Sequence, residues 1–172
     1  MLDWFKPTWL VGTIYHVSPA RLKRQGIQAV FADLDNTLLA WNHAQGTTRL
    51  KSLVRRFRAQ RIRLVVISNN TTKRVSRALA GLDLDYISWS FKPLPWGIER
   101  ALRRYHLHRQ QVVMVGDQLL TDVWAANNAH VRSMWVQPLV NTDKWDTRIN
   151  RFFERRIKVR LERKYNLSHW QE

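Results

Sequence analysis

Residues 30–41 read VFADLDNTLLAW. The apolar run that feeds this stretch, Ile27 to Phe31 with Gln28 as its only polar member, suits a short strand buried on both faces. It ends on two aspartates, Asp33 and Asp35, spaced one apart, and Asn36 and Thr37 follow before the chain turns apolar again. Carboxylates at the end of a buried strand stand out in a chain whose formal net charge is +16.

Outward from this strand the pattern alternates. TTRLKSLVRRFRAQ (47–60) places Leu50, Leu53, Val54 and Phe57 at helical spacing. IRLVVIS (62–68) is apolar and β-branched, and TTKRVSRALAGL (71–82) reads as a helix closed near Gly81. DYISWS (85–90) is a shorter strand, after which Pro95 suits a first helical turn and Ile98, Ala101, Leu102 and Tyr105 repeat the helical spacing. QVVMVGD (111–117), LLTDVWAANNA (119–129) and VRSMWVQP (131–138) continue the alternation. Five strands interleaved with helices predict parallel pairing through right-handed crossovers, which is a doubly wound α/β sheet with helices on both faces. Such a core would span residues 27–138 of a single domain, with segments 1–26 and 144–172 flanking it.

Composition narrows the class. A hydrophobic content of 45% with nine tryptophans argues for a packed core, and no run approaches the roughly 18 apolar residues of a spanning helix. No cationic opening or small-residue cleavage site marks the N-terminus for export, and the absence of cysteine excludes disulfides and thiolate metal sites. The expectation is a soluble, cytoplasmic protein. Its 29 Lys and Arg against 13 Asp and Glu call for an anionic partner, be it nucleic acid, anionic lipid or a phosphorylated substrate.

Ligands of such sheets bind beyond the carboxyl ends of the strands. There Asp33 and Asp35 end the first strand and Ser68 the second, while Lys92 follows the third and Asp117 the fourth. Each alone has an ordinary structural reading: an Asx turn or cap for DLDNT, a turn serine, a solvated lysine, a carboxylate near a helix N-terminus. Together they converge on one edge. Clustered carboxylates raise one another's pKa unless a cation neutralises them, so Asp33, Asp35 and Asp117 call for a hard divalent ion such as Mg²⁺. The fixed charge of Lys92 and the hydroxyl of Ser68 suit a tetrahedral anion, and the set is built for phosphoryl transfer.

DLDNT, VVISNN, FKP and GDQLLTD, in this order, resemble the four motifs of the haloacid dehalogenase (HAD) superfamily of phosphatases. The phrases LDNTL, SNN, KP and GDQLLTDV, with the basic extension RFFERRIKVRLERK, resemble more narrowly the YqeG-type phosphatases of HAD subfamily IIIA, which are related to mitochondrial phosphatidylglycerophosphate phosphatases. The resemblance implies that Asp33 attacks phosphorus and that Asp35 acts as acid and then base. It implies that Ser68, the amide of Asn69 and Lys92 hold the phosphoryl oxygens. Mg²⁺ would be held by Asp33, the carbonyl of Asp35 and Asp117, with Thr37 behind them and Asp122 either behind them as well or tied to Lys92. The intervals between the motifs leave no room for a cap domain, so the site is expected to be open and suited to large or surface-bound substrates.

Three functions fit this reading. They are a phosphatase of a lipid phosphate such as phosphatidylglycerophosphate, a phosphatase of a soluble sugar or nucleotide phosphate, and a basic RNA- or ribosome-binding module. The chain ends bear on the choice. A basic amphipathic helix is expected within 144–166, with Ile149, Phe152, Phe153, Ile157 and Leu161 on one side, and Trp4, Phe5, Trp9, Leu10 and Tyr15 form an aromatic set near the other terminus. These ends either pack on the sheet or lie on an anionic membrane surface, which would make the protein peripheral on the inner face of a membrane.

Overall fold

Six parallel strands form one sheet in the computed structural model, which describes residues 2–41, 47–140, 156–161 and 163–165. The strands are β1 (Trp9–Val11), β2 (Ala29–Ala32), β3 (Arg63–Ile67), β4 (Asp85–Ile87), β5 (Val112–Gly116) and β6 (Arg132–Val136), in the order β1-β6-β5-β2-β3-β4. The five strands read from the sequence are all present, each shorter than its apolar run. The sixth, β1, comes from the segment expected only to flank the core, and it pairs with β6 from Trp9 opposite Met134 to Val11 opposite Val136.

The two faces are covered separately. Alternate residues of the central strands, Val30, Ala32, Leu64, Val66, Val113 and Val115, pack under α1 (Pro19–Arg24), α2 (Thr48–Ala59) and α3 (Thr72–Ala78). Their neighbours Ala29, Phe31, Val65, Ile67, Val112 and Met114 pack under α4 (Trp96–Arg104) and α5 (Trp124–Asn128). Helix α2 buries the four residues its spacing marked, Leu50, Leu53, Val54 and Phe57, and Thr47 caps it by accepting from the Leu50 N–H. At roughly 25 cal/mol per Å² of buried apolar surface, these two layers are the main stabilising contribution. Between β2 and β3 the described residues hold α2, and between β3 and Lys92 they hold α3 and β4, so no cap domain is present among them.

The aromatic set near the N-terminus does not form one cluster. Trp9 and Leu10 are strand residues, and Tyr15 is buried with its hydroxyl donating to the Leu38 carbonyl at 2.6 Å. Trp4 stacks on Trp124, and Phe5 meets the same ring edge-on. From the opposite end, residues 156–161 and 163–164 are helical; Leu161 is fully buried and joins Ile157, Tyr165, Leu2, Phe5, Leu119, Val123 and Trp135 in a separate apolar cluster. Within the described residues the apolar side of that helix therefore faces the protein. Ile149, Phe152 and Phe153 lie outside them.

Candidate active site

The strand order reverses around β2, whose neighbours are β3 on one side and β5 on the other, and this is where open α/β sheets bind ligands. The register puts Ala32 opposite Val115, and the Asp33 N–H donates to the Val115 carbonyl at 2.9 Å, so Asp33 and Asp117 leave adjacent strand ends at the same level. Ser68 leaves β3 beside them, and its carbonyl accepts the Ser90 N–H at 3.0 Å, drawing the loop that carries Lys92 over the same edge.

Lys92 is buried, against the ordinary expectation for a lysine, and all three of its ammonium hydrogens have acceptors. Nζ donates to Asp33 Oδ1 at 2.6 Å, to Asp122 Oδ1 at 2.7 Å and to the Ile67 carbonyl at 2.9 Å. Asp122 Oδ2 accepts the Gln118 N–H at 3.1 Å, so both oxygens of this carboxylate are occupied. It reaches Lys92 because one turn of π-helix, Leu119–Val123, folds back over Gly116. A Cβ at Gly116 would collide with the Asp122 carboxyl group, which explains the glycine before Asp117.

Asp33, Asp117 and Asp122 present carboxylate oxygens within 4.8 Å of one another, all buried. Among the described residues Lys92 is the cation inside this cluster, so the negative charge is in excess. Burial raises the Asp33 carboxyl most, Lys92 pulls it down in part and Asp122 pushes it up again, which leaves it at about 7. Burial also pulls the Lys92 ammonium down, but Asp122 and Asp33 outweigh it and hold the lysine above its ordinary value. The set of hard oxygen donors with uncompensated charge fits a divalent cation of the Mg²⁺ type. Thr37, buried, donates to Asp117 Oδ1 at 3.1 Å, and the Trp135 indole N–H donates to the Asp117 carbonyl at 2.9 Å, fixing this residue from two sides.

Asp35 stands apart from that cluster. Asn70 Nδ2 donates to its Oδ2 at 2.8 Å and Arg74 Nη2 to its Oδ1 at 2.6 Å. Its side chain thus faces the first turn of α3 and not the Asp33 cluster. The Asn36 that follows has φ 63°, the left-handed conformation Asn tolerates better than most residues, and this tight turn sends the chain back through Thr37.

The same chain, over residues 2–130, matches the family described as haloacid dehalogenase-like hydrolase. It is 34% identical over 168 residues to "Probable phosphatase YqeG" of Bacillus subtilis (strain 168), a match covering 98% of this chain and 97% of that protein. The chain belongs to the haloacid dehalogenase-like hydrolase family. It is an enzyme of the phosphatase kind. Its fold is similar to that of an uncharacterized protein from Listeria monocytogenes serotype 4b, with a TM-score of 0.54 and 17% identity over 69% of this chain and 85% of the other. It is also similar to the cobalt-bound deoxy-D-mannose-octulosonate 8-phosphate phosphatase of Haemophilus influenzae, with a TM-score of 0.52 and 16% identity over 66% and 70%.

In this member of the family, Ser68 is fully buried, and its hydroxyl accepts from the Asn70 N–H at 3.2 Å and from Asn70 Nδ2 at 3.1 Å. The Asn69 side chain turns away from the strand edge to the Lys92 loop. Its Oδ1 accepts from Lys92 N and Ser90 Oγ, and its Nδ2 donates to the Lys92 carbonyl, so the backbone amide is the part of Asn69 left for an anion. Asn70 and Arg74 were not singled out from the sequence. The available signal was their position: both sit where β3 gives way to α3, at the edge that carries Ser68.

Proposed function

We propose that this hydrolase is a Mg²⁺-dependent phosphomonoesterase that works through an aspartyl-phosphate on Asp33 and acts on a lipid phosphate such as phosphatidylglycerophosphate. The observation that carries the mechanism is the separation of two carboxylates two residues apart: Asp33 lies inside the buried cluster, and Asp35 is held outside it by Asn70 and Arg74. One is placed to attack and the other to exchange protons with a leaving group and with water.

Asp33 Oδ1 is fixed by Lys92, which aims the carboxylate at the space beyond the strand ends. Lys92, the Ser68 hydroxyl and the Asn69 amide would then hold phosphoryl oxygens, and Asp35 would protonate the leaving oxygen before accepting a proton from the water that releases phosphate. Asp33, Asp117 and the Asp35 carbonyl would hold Mg²⁺, which when bound supplies positive charge against the phosphoryl oxygens and the crowded carboxylates. Asp122 positions Lys92, and Thr37 positions Asp117.

Two features support a lipid substrate: the open site without a cap among the described residues, which a bulky substrate can shield, and the net charge of +16. Turnover of the purified protein with Mg²⁺ on phosphatidylglycerophosphate, sugar phosphates and nucleotide monophosphates tests this reading. The lipid phosphate is expected to have the highest kcat/KM, and a soluble phosphate turned over more efficiently would displace it.

A further inference from the structure

Among the described residues six large apolar side chains are exposed, and four of them, Trp89, Phe91, Leu94 and Trp96, flank Lys92 within eight positions. Phe91 stacks on Trp89 at 6.4 Å between ring centres and meets Trp96 edge-on at 6.1 Å, so the rings form one apolar knob. The loop beneath it is tied down at each end. The Trp89 N–H donates to the Asn70 carbonyl at 3.0 Å, Arg100 Nη2 to the Ser88 carbonyl at 2.7 Å, and Asn128 Nδ2 to the Pro93 carbonyl at 3.0 Å. Trp89 and Phe91 have φ of 50° and 57°, a left-handed conformation unfavourable for bulky residues. A fold that holds large rings outward in this conformation, on both sides of its buried lysine, presents a binding surface.

We infer that this aromatic knob docks the enzyme on an anionic lipid bilayer, with the rings at headgroup and upper acyl level and the Lys92 edge of the sheet turned to the membrane. The inference rests on the lipid-phosphate reading above and names the surface that would meet the lipid. Charge complementarity selects the occupant. Arg100, Arg103 and Arg104 on α4 and Lys73 and Arg77 on α3 are exposed on the helices either side of the loop. The nearby carboxylates are already matched, Glu99 on α4 by Arg109 and Asp85 on β4 by Arg63. Among the described residues neither the Trp89 nor the Trp96 indole N–H meets a protein acceptor, as suits a ring with one wet end at a bilayer interface. The rings also lie against one another, whereas base stacking requires faces splayed toward solvent. The described apolar side of the C-terminal helix packs inward, which leaves this knob as the larger exposed apolar group.

The test uses the full chain. Flotation with vesicles of phosphatidylcholine mixed with phosphatidylglycerol is compared for the wild type, Trp89→Ser with Trp96→Ser, and the apolar control Phe91→Leu, with thermal melting to verify folding. The serine pair is expected to lower partitioning at least about tenfold and the leucine variant to retain it. In the wild type, bromine-labelled acyl chains should quench tryptophan fluorescence, which needs no variant. Unchanged partitioning of a folded serine pair, no quenching, no binding of the wild type, or single-stranded RNA competing for the knob would each overturn the inference. The two readings separate by outcome. Knob-dependent vesicle binding without hydrolysis of the lipid phosphate keeps the docking surface and removes the substrate. Hydrolysis of vesicle-borne lipid phosphate undiminished in the serine pair keeps the substrate and removes the docking surface.

Discussion

The side chain of Asn69 grips the backbone of Lys92 from both sides: its Oδ1 accepts the Lys92 N–H at 2.8 Å and its Nδ2 donates to the Lys92 carbonyl at 2.9 Å. The end of β3 thereby sets the height at which the lysine enters the cluster. Asn69→Ala leaves the backbone amide in place and removes this grip together with the Ser90 Oγ contact to Oδ1. With each hydrogen bond contributing about 1 kcal/mol, kcat/KM is expected to fall about 10- to 100-fold in a protein that still folds. Steady-state kinetics with a melting curve checks this; an unchanged kcat/KM would mean that Lys92 is positioned by its carboxylate partners alone.

Asp33→Asn retains an oxygen for Lys92 but removes the nucleophile, so turnover should fall by at least about a thousandfold while the fold persists. Mass spectrometry of acid-quenched wild-type enzyme should detect phosphate on the peptide containing Asp33. Near-normal turnover in the variant, with deamidation excluded, would disprove the covalent route.

Excess negative charge in the cluster makes an unusual prediction for Asp117→Asn. Divalent cation at about one hundred times its Kd should stabilise the wild type by about 2.7 kcal/mol, or roughly 5–10 °C in Tm for a chain of this size. The variant should lose that response, yet in chelator it should melt no lower than the wild type, because one of three crowded carboxylates has become neutral and can still accept from Thr37. Differential scanning calorimetry with Mg²⁺ and with chelator measures both quantities. An Asp117 variant that keeps the full shift would remove this residue from the ligand set.

Asp35 carries both an amide and a guanidinium, so its two contacts can be separated. Asp35→Asn should lower kcat with little change in KM, since it removes a proton-transfer group and leaves the anion-binding groups intact. Arg74→Met should lower kcat about tenfold by letting the carboxylate turn away, and Arg74→Lys should recover part of the loss. A change confined to KM in either position would make Arg74 a substrate contact.

The residues at the strand ends were legible because each is announced locally, by an apolar run that stops at a polar group. Their partners were not announced in this way, and Thr37 and Asp122 entered only through the family resemblance. Thr37 and Asp117 are 80 positions apart, and Lys92 and Asp122 are 30 apart, so the bonds that convert five separate signals into one buried network exist only after the sheet has formed. Lys92 shows the limit clearly, since a lone lysine before proline reads as solvated and only its two carboxylates hold it inside. Strand β1 escaped for another reason. A strand of three residues, Trp9–Val11, is too short for periodicity, and the pairing with β6 decides its conformation.

The C-terminal helix was legible as amphipathic, but amphipathicity does not say which apolar phase receives it. Leu161 is fully buried among Leu119, Val123 and Trp135, and Ile157 and Tyr165 pack beside it with Leu2 and Phe5 from the other end of the chain. Leu119 and Val123 belong to the π-turn that delivers Asp122 to Lys92, so this packing supports the site as well as the fold. Leu161→Ala should therefore destabilise the protein by about 2–5 kcal/mol, the range for a truncated core leucine. It should also reduce turnover in the fraction that remains folded, as the turn loosens and Asp122 loses its hold on Lys92. Denaturant unfolding monitored by circular dichroism, with kinetics well below the transition, reads both effects. A loss below about 0.5 kcal/mol, as for a surface substitution, would place Leu161 outside the core and return the helix to the membrane surface.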